Sequence, residues 1–487
     1  MIKNFDFDSF TSIYADKKIS KMGEMLARYQ RKLMDLDIPV MIIIEGWESA
    51  GHEFVINDLI RELNPRNHHV KEYDYSNRVE KDMPFLWKYW KLIPKKGDMT
   101  ILDKSYYFNL FNNKEIDKAE LENNYELINT FERHLSDDNM LILKFFLHVK
   151  KKTHKNRIEA LKHDKNRSFF VTDIDNKQYK NYEYYEKRIG RMLDKTNYDF
   201  APWHVVSAED LKLAAREIIG KVSESVINKI NEVSKQKEIV YTRKPFTGPY
   251  PLNDIDLTLS VDDDIYDKEL DELQEEIEGL TYKLFNKNIP TILVFEGMDA
   301  AGKGGAIERL TRTMDARFYD VVATSAPKET EKQYHYLWRF YKEFPPRGKT
   351  TIFDRSWYGR VMVERVEGFA TVQEWDRAYE EINLMEKNLA DRGALIIKYF
   401  IIIDKDEQYR RFKERESDVD KIYKLTDEDW RNREKWDPYI DSMNEMLVKT
   451  HKENAPWIII EGNDKKFARL KVLREFIQRA KQFIDDK

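Results

Sequence analysis

Short apolar runs alternate with longer stretches of helical periodicity along this chain. In its second half the runs Thr291–Phe295, Tyr319–Ala323, Thr350–Phe353, Leu395–Ile403 and Trp457–Ile460 read as buried strands, with helical patterns between them. In the first half a polar helical pattern over Tyr14–Leu36 leads into an apolar strand, Pro39–Glu45. Strands separated by helices predict parallel sheets covered by helices on both faces. Ligands of such sheets bind beyond the carboxyl ends of the strands. Gly297, Asp354 and Asp404 all fall at those ends.

The two halves repeat one another. Gly46 pairs with Gly297, and Gly51 with Gly302, 251 residues apart. The segment Thr100-Ile-Leu-Asp103-Lys-Ser-Tyr-Tyr107 matches Thr351-Ile-Phe-Asp354-Arg-Ser-Trp-Tyr358 at the same offset. Leu141–Phe145 matches Leu395–Tyr399, and Ala201-Pro-Trp203 matches Ala455-Pro-Trp457, both at 254. A period this long means duplicated domains, since solenoid repeats run to roughly 20–50 residues. The expected division is a first domain over 1–233, a linker over 234–264 carrying Pro245, Pro249, Pro251 and an acidic run, and a second domain over 265–487.

The chemistry concentrates after Phe295. The strand runs into Gly297, then Gly302, Lys303, Gly304 and Gly305, and then a helical pattern. Strand, glycine turn, lysine and helix form a phosphate cradle. Backbone N–H groups approach the phosphate oxygens, the helix start adds its dipole, and the lysine supplies a point charge. Gly304 stands where such a loop carries the Ser or Thr that contacts Mg²⁺, so carboxylates are expected to hold the metal instead. Asp354 and Asp299 are the candidates. Asp354 could equally cap the next helix, and Asp299 could orient the acceptor or be a solvated loop residue.

Positive charge surrounds these groups. Arg355, Arg360 and Arg365 follow Asp354, with Glu364 among them, and Lys328 and Arg339 precede it. Guanidinium forks suit phosphate. Arg411 and Arg415 lie one helical turn apart after the Leu395–Ile403 strand, which reads either as an arginine-bearing lid or as a solvated helix paired with Glu414 and Glu416. Trp338, Trp357 and Trp436 suit a core as well as a base stack.

Composition narrows the field. A net charge of −5 leaves no global basic field for nucleic acid, so any polyanion site must be local. With no cysteine there is no disulfide, thiolate metal site or thiol nucleophile. The first residues lack the apolar core of a signal peptide, and the longest apolar run is too short to span a bilayer, so a cytoplasmic location is expected, with no membrane partner.

The loop GMDAAGKGG (Gly297–Gly305), the segment FDRSWYGRVMVERVEGF (Phe353–Phe369), RRFKER (Arg410–Arg415) and KLTDEDW (Lys424–Trp430) together resemble the polyphosphate kinase 2 family, in its two-domain form. The resemblance implies an α/β fold of two tandem P-loop kinase-like domains, each a parallel sheet flanked by helices with a helical lid. It implies Mg²⁺-dependent transfer of the terminal phosphoryl of inorganic polyphosphate to a nucleoside monophosphate, AMP foremost and GMP as an alternative. Carried onto this sequence, Lys303 and Arg355 stabilise the transferring phosphoryl, Asp299 orients the acceptor, Asp354 holds Mg²⁺, and Arg411 and Arg415 close over phosphates. Glu364 joins the catalytic set. Gly297, Gly302, Gly304, Gly305, Lys328, Arg339, Arg360 and Arg365 complete the phosphate-binding set.

The first copy departs at these places: His52 for Lys303, Glu48 for Asp299, Lys104 for Arg355, Leu161 for Arg415. A neutral or weakly basic imidazole replaces a fixed ammonium poorly. The first domain is therefore expected to be inactive and to pair with the second, with a homodimer left open. Two other readings stay open: an ordinary NTP-dependent kinase, and a non-catalytic polyphosphate or nucleotide sensor.

Overall fold

The computed structural model describes residues 2–72, 82–236, 241–418 and 425–486. Lys424 of the expected lid motif and residues 237–240 of the expected linker lie outside the described residues. The chain divides into two units: Met1–Asn77 with Phe85–Val240 and Glu329–His335, and Arg78–Pro84 with Tyr241–Lys328 and Tyr336–Lys487.

Each unit is built on a five-stranded sheet. In the first, β1 (Val40–Gly46), β2 (His68–Glu72), β3 (Met99–Asp103), β4 (Leu141–His148) and β5 (Trp203–Ser207) lie in the order β2-β3-β1-β4-β5. In the second, β6 (Thr291–Gly297), β7 (Tyr319–Ala323), β8 (Thr350–Asp354), β9 (Leu395–Ile402) and β10 (Trp457–Glu461) repeat that order as β7-β8-β6-β9-β10. All these pairings are parallel. The central strand is apolar and buried because helices cover both faces. Register then places the functional ends together: Phe295 lies opposite Asp354, and Gly297 opposite Ile401.

Each core contains a buried lysine–glutamate pair. Lys398 interrupts the β9 apolar run, and its Nζ donates to Glu386 (2.7 Å), to the Tyr358 hydroxyl (2.7 Å) and to the Thr450 carbonyl (2.8 Å). Lys144 does the same with Glu132, Tyr107 and Thr196 in the first unit. All three ammonium protons are used, which makes full burial of the charge tolerable.

The expected linker is not a free connection. Residues 234–236 end the helix Leu211–Gln236, and 241–264 belong to the second unit, with Leu252 buried there. The next helix, Asp263–Asn286, starts inside the expected linker and packs along the helix Lys465–Asp485.

Candidate active site

β6 turns out of the sheet at Gly297. Its φ is +142°, and a Cβ there would fall 2.1 Å from the Ile401 carbonyl oxygen, so only glycine fits. Gly302, at φ +109°, starts the helix Lys303–Thr311. A Cβ at exposed Gly304 would meet nothing within 4 Å, so this turn lies open to a ligand. Lys303 is buried, with its Nζ folded back onto the Gly297 and Met298 carbonyls at 2.8 and 3.0 Å. Burial, reinforced by the Arg355 charge, holds its ammonium below the ordinary lysine range. Beneath the loop, buried Glu296 accepts from the Ser356 N–H and hydroxyl at 2.7 and 2.8 Å, joining the end of β6 to the turn after β8.

Asp354 ends β8, and among the described residues no donor bonds its carboxylate. It does not cap the next turn: Ser356 does, accepting from the Tyr358 N–H. Arg355 follows in the left-handed region at φ +65°, a conformation that costs a non-glycine residue energy and concentrates at functional sites. That bend sends its guanidinium to Asp299 at 2.7 Å. Asn432 reaches the other Asp299 oxygen at 3.0 Å, and Gln408 donates to the Asp299 carbonyl at 3.2 Å. Asp299 is therefore already engaged on both oxygens, whereas Asp354 is not. Among the described residues no group of three or more His, Asp or Glu forms a metal cage. Asp354 suits a hard cation that takes most of its oxygens from substrate phosphates and water.

Beside the loop lies a pocket of about 620 Å³. Glu296, Gly297, Asp299 and Arg355 form its polar end, and Met362, Val363, Trp436, Tyr439 and Met443 contribute apolar wall. Of the three tryptophans singled out, Trp436 lines this pocket, Trp357 is core with its indole N–H on Glu386 (3.1 Å), and Trp338 is half-buried.

Several of the expected arginines are bonded to other groups of the protein. Arg411 is 2 % exposed. It donates to the carbonyls of Ala300, Ala301, Gly462 and Asn463 and pairs with Glu407, so it braces the phosphate loop from below. Arg157 holds the equivalent carbonyls of Ala50, Ala208 and Glu209 in the first unit, which marks the brace as structural. Arg365 is taken up by the Tyr379 hydroxyl (2.9 Å) and Glu445 (2.8 Å). Arg360 pairs with Glu364 at 3.1 Å and lies over the Tyr336 ring, so Glu364 serves as its counter-ion. Arg339 donates to the Ser325 carbonyl at 3.0 Å, Arg415 is half-buried and Lys328 is exposed. Gly305 lies beside the Arg469 guanidinium, 3.3 Å from where a Cβ would stand.

The corresponding region of the first unit is filled. Trp47 replaces Met298, Phe108 replaces Gly359, Phe111 replaces Met362 and Tyr182 replaces Trp436. All four rings are buried, and Trp47 stacks on Tyr182 with centroids 4.1 Å apart. His52, in the lysine position, bonds Asp103 at 2.7 Å, and Lys104 pairs with Glu48 at 3.0 Å. The acidic and basic groups of this site neutralise one another beneath an aromatic plug.

The profile of the polyphosphate kinase 2 family matches residues 12–237 and again residues 260–486. This chain belongs to that family. It is similar to the polyphosphate:AMP phosphotransferase of Pseudomonas aeruginosa, 38% identical over 471 residues that cover 94% of each chain. It is also similar to the polyphosphate:AMP phosphotransferase of Acinetobacter johnsonii, 33% identical over 447 residues and 91% of each chain. Among solved structures, a putative polyphosphate kinase 2 from Pseudomonas aeruginosa superimposes with a TM-score of 0.84 at 35% identity, covering 98% of both chains. The two family matches correspond to the two sheets, so the tandem α/β kinase fold expected from the sequence is the fold observed. No helix among the described residues is long and apolar enough to cross a membrane.

Sequence reading missed Asn432, Gln408 and, apart from Trp436, the apolar wall. The replacement of Met298 by Trp47 and of Gly359 by Phe108 between the repeats was the available signal, since a ring replacing a small or flexible residue fills space that the other copy leaves open.

Proposed function

We propose that this chain transfers the terminal phosphoryl group of inorganic polyphosphate to a nucleoside monophosphate, AMP giving ADP, and that its second unit alone turns over. One observation carries this reading: the pocket beside the Lys303 loop has Asp299 and Arg355 at its inner end and an apolar wall suited to a base. The names of the relatives, which match along nearly the whole chain, support the donor and acceptor.

In this reading an oxygen of the acceptor phosphate attacks the terminal phosphorus of the polymer. The bond to the bridging oxygen breaks, and the chain leaves one phosphate shorter. Lys303 turns from its own loop carbonyls to the transferring group, and Arg355 meets the same developing charge. Asp299, fixed by Asn432, orients the acceptor. Asp354 holds Mg²⁺, which when bound neutralises phosphate charge. Arg415, Arg339 and Lys328 are assigned to the donor chain for their charge, and Arg411 keeps the loop in shape. The reaction is assigned to the cytoplasm.

An assay of AMP, ADP and GMP against polyphosphate and ATP as donors tests the proposal. ADP formed from AMP and polyphosphate without ATP is the expected result. Turnover with ATP alone would make the protein an ordinary NTP-dependent kinase. Binding of polyphosphate without turnover would make it a sensor.

A further inference from the structure

The segment 241–259 lies outside both stretches matched by the family profile, yet it is anchored on the second unit. Tyr241 donates to Asp376 at 2.8 Å, and Arg243 donates to the same carboxylate at 2.5 Å. The Arg243 guanidinium lies over the Trp375 ring and forks onto Glu445. Further along, the Leu252 N–H donates to the Asn444 side chain at 2.9 Å. Glu445 is fully buried and also takes Arg365 (2.8 Å) and Lys449 (2.9 Å).

These partners stand directly behind the acceptor pocket. Arg365 belongs to the short helix Val363–Val366, whose first residue lines the pocket. Glu445 and Asn444 belong to the helix Trp436–Thr450, whose Trp436, Tyr439 and Met443 line it from the other side. The carboxylate of Glu445 therefore ties the two apolar walls together, and Arg243 completes its ring of cations. In the first unit Ile2 is buried against Gly190, which stands at the position of Asn444. This unit lacks the ionic part. Arg191 and Glu122 stand at the positions of Glu445 and Asp376 and pair with each other.

We infer that Arg243 is a positioning residue for the acceptor: the strap that carries it sets the spacing of the two pocket walls and so the affinity for the nucleoside monophosphate. The inference rests on reading this pocket as the acceptor site. A displaced wall misplaces the base and not the polyphosphate. A misplacement of about 1 Å can cost on the order of a hundredfold in rate.

The test measures KM for AMP and for polyphosphate in Arg243→Ala and Arg243→Lys, with Met443→Trp as a change inside the pocket. Calorimetric AMP binding is measured in the same variants on a Lys303→Ala background without polyphosphate, so that no turnover occurs. Arg243→Ala is expected to raise KM and Kd for AMP about tenfold, with KM for polyphosphate within about twofold of the parent. Arg243→Lys, which keeps the charge but not the fork, is expected to fall between the two. If Arg243→Ala fails to fold, Arg243→Lys decides alone: unchanged AMP affinity overturns the inference. If Met443→Trp weakens AMP and both Arg243 variants do not, the strap has no part in the site although the pocket reading stands. If Met443→Trp also leaves AMP untouched, the pocket is not the acceptor site and both readings fall. A rise in the polyphosphate KM alone would assign the strap to the donor and overturn the inference equally.

Discussion

Trp47 stacks on Tyr182 at 4.1 Å with the rings 5° from parallel, in the place where the second unit has Met298 and Trp436. A ring pair at that spacing leaves no room for a third aromatic group between them. The first unit thus has His52 at the Lys303 position and stacked rings where the second unit keeps its pocket.

Lys303→Ala in the full chain is therefore expected to lower kcat by at least about a hundredfold, the scale of losing one preorganised charge from a transition state. His52→Ala should leave kcat within about twofold. His52→Lys should add no activity to the Lys303→Ala chain, because the plug remains. Steady-state rates with AMP and polyphosphate check all three, and loss of turnover in folded His52→Ala would refute the division of labour.

Asp354→Asn should raise the Mg²⁺ concentration needed for half-maximal rate by roughly tenfold or more and also slow the reaction, since an amide is a poor ligand for a hard cation. Asp299→Asn should slow the reaction with a smaller change in Mg²⁺ demand, because both its oxygens serve Arg355 and Asn432. Mg²⁺ titrations of the two variants decide between the carboxylates. Equal titration curves for Asp354→Asn and the parent would remove Asp354 from the metal.

Arg411→Ala should destabilise the second unit by about 3 kcal/mol, the cost of breaking a buried charge pair. Four carbonyls would lose this donor, and Glu407 would keep only Arg410. Both KM values should rise together, because the phosphate loop itself loosens. Arg157→Ala should cost similar stability in the first unit and leave both KM values unchanged. Denaturant melts combined with kinetics test the pair. A selective rise in the polyphosphate KM for Arg411→Ala would return that residue to the lid.

The Lys303 ammonium is held below the ordinary lysine range by burial and by the Arg355 charge. Its charge is the active form, so activity is lost as pH rises through that lowered pKa. The alkaline limb of kcat/KM, which reports the free enzyme, should lie below the range of an exposed lysine. Bound phosphates favour the charged form, so the limb of kcat should lie at higher pH than that of kcat/KM. Coincident limbs would mean that another group titrates.

Much of this protein was legible from contiguous sequence. The duplication, the parallel sheets implied by alternating strands and helices, and the Gly297–Gly305 cradle depend on local periodicity and on residues close in the chain. The fate of the charges did not. Arg411 and Arg415 are one turn apart on the same helix, but only the packing of that helix against the phosphate loop buries the first and leaves the second half-exposed. Lys398 reads as a blemish in a strand until Glu386 and the Thr450 carbonyl close around it. Asp299 reads from the sequence as a metal ligand, an acceptor-orienting group or a solvated loop residue, and only the fold brings Asn432, 133 residues away, and Arg355 to its oxygens. Local sequence determines which backbone forms and where a glycine must turn. Which carboxylate stays free, which arginine becomes scaffold and which pocket stays open depend on long-range burial. Each charge must find its partner there, because leaving it unpaired away from water costs more than the fold can spare.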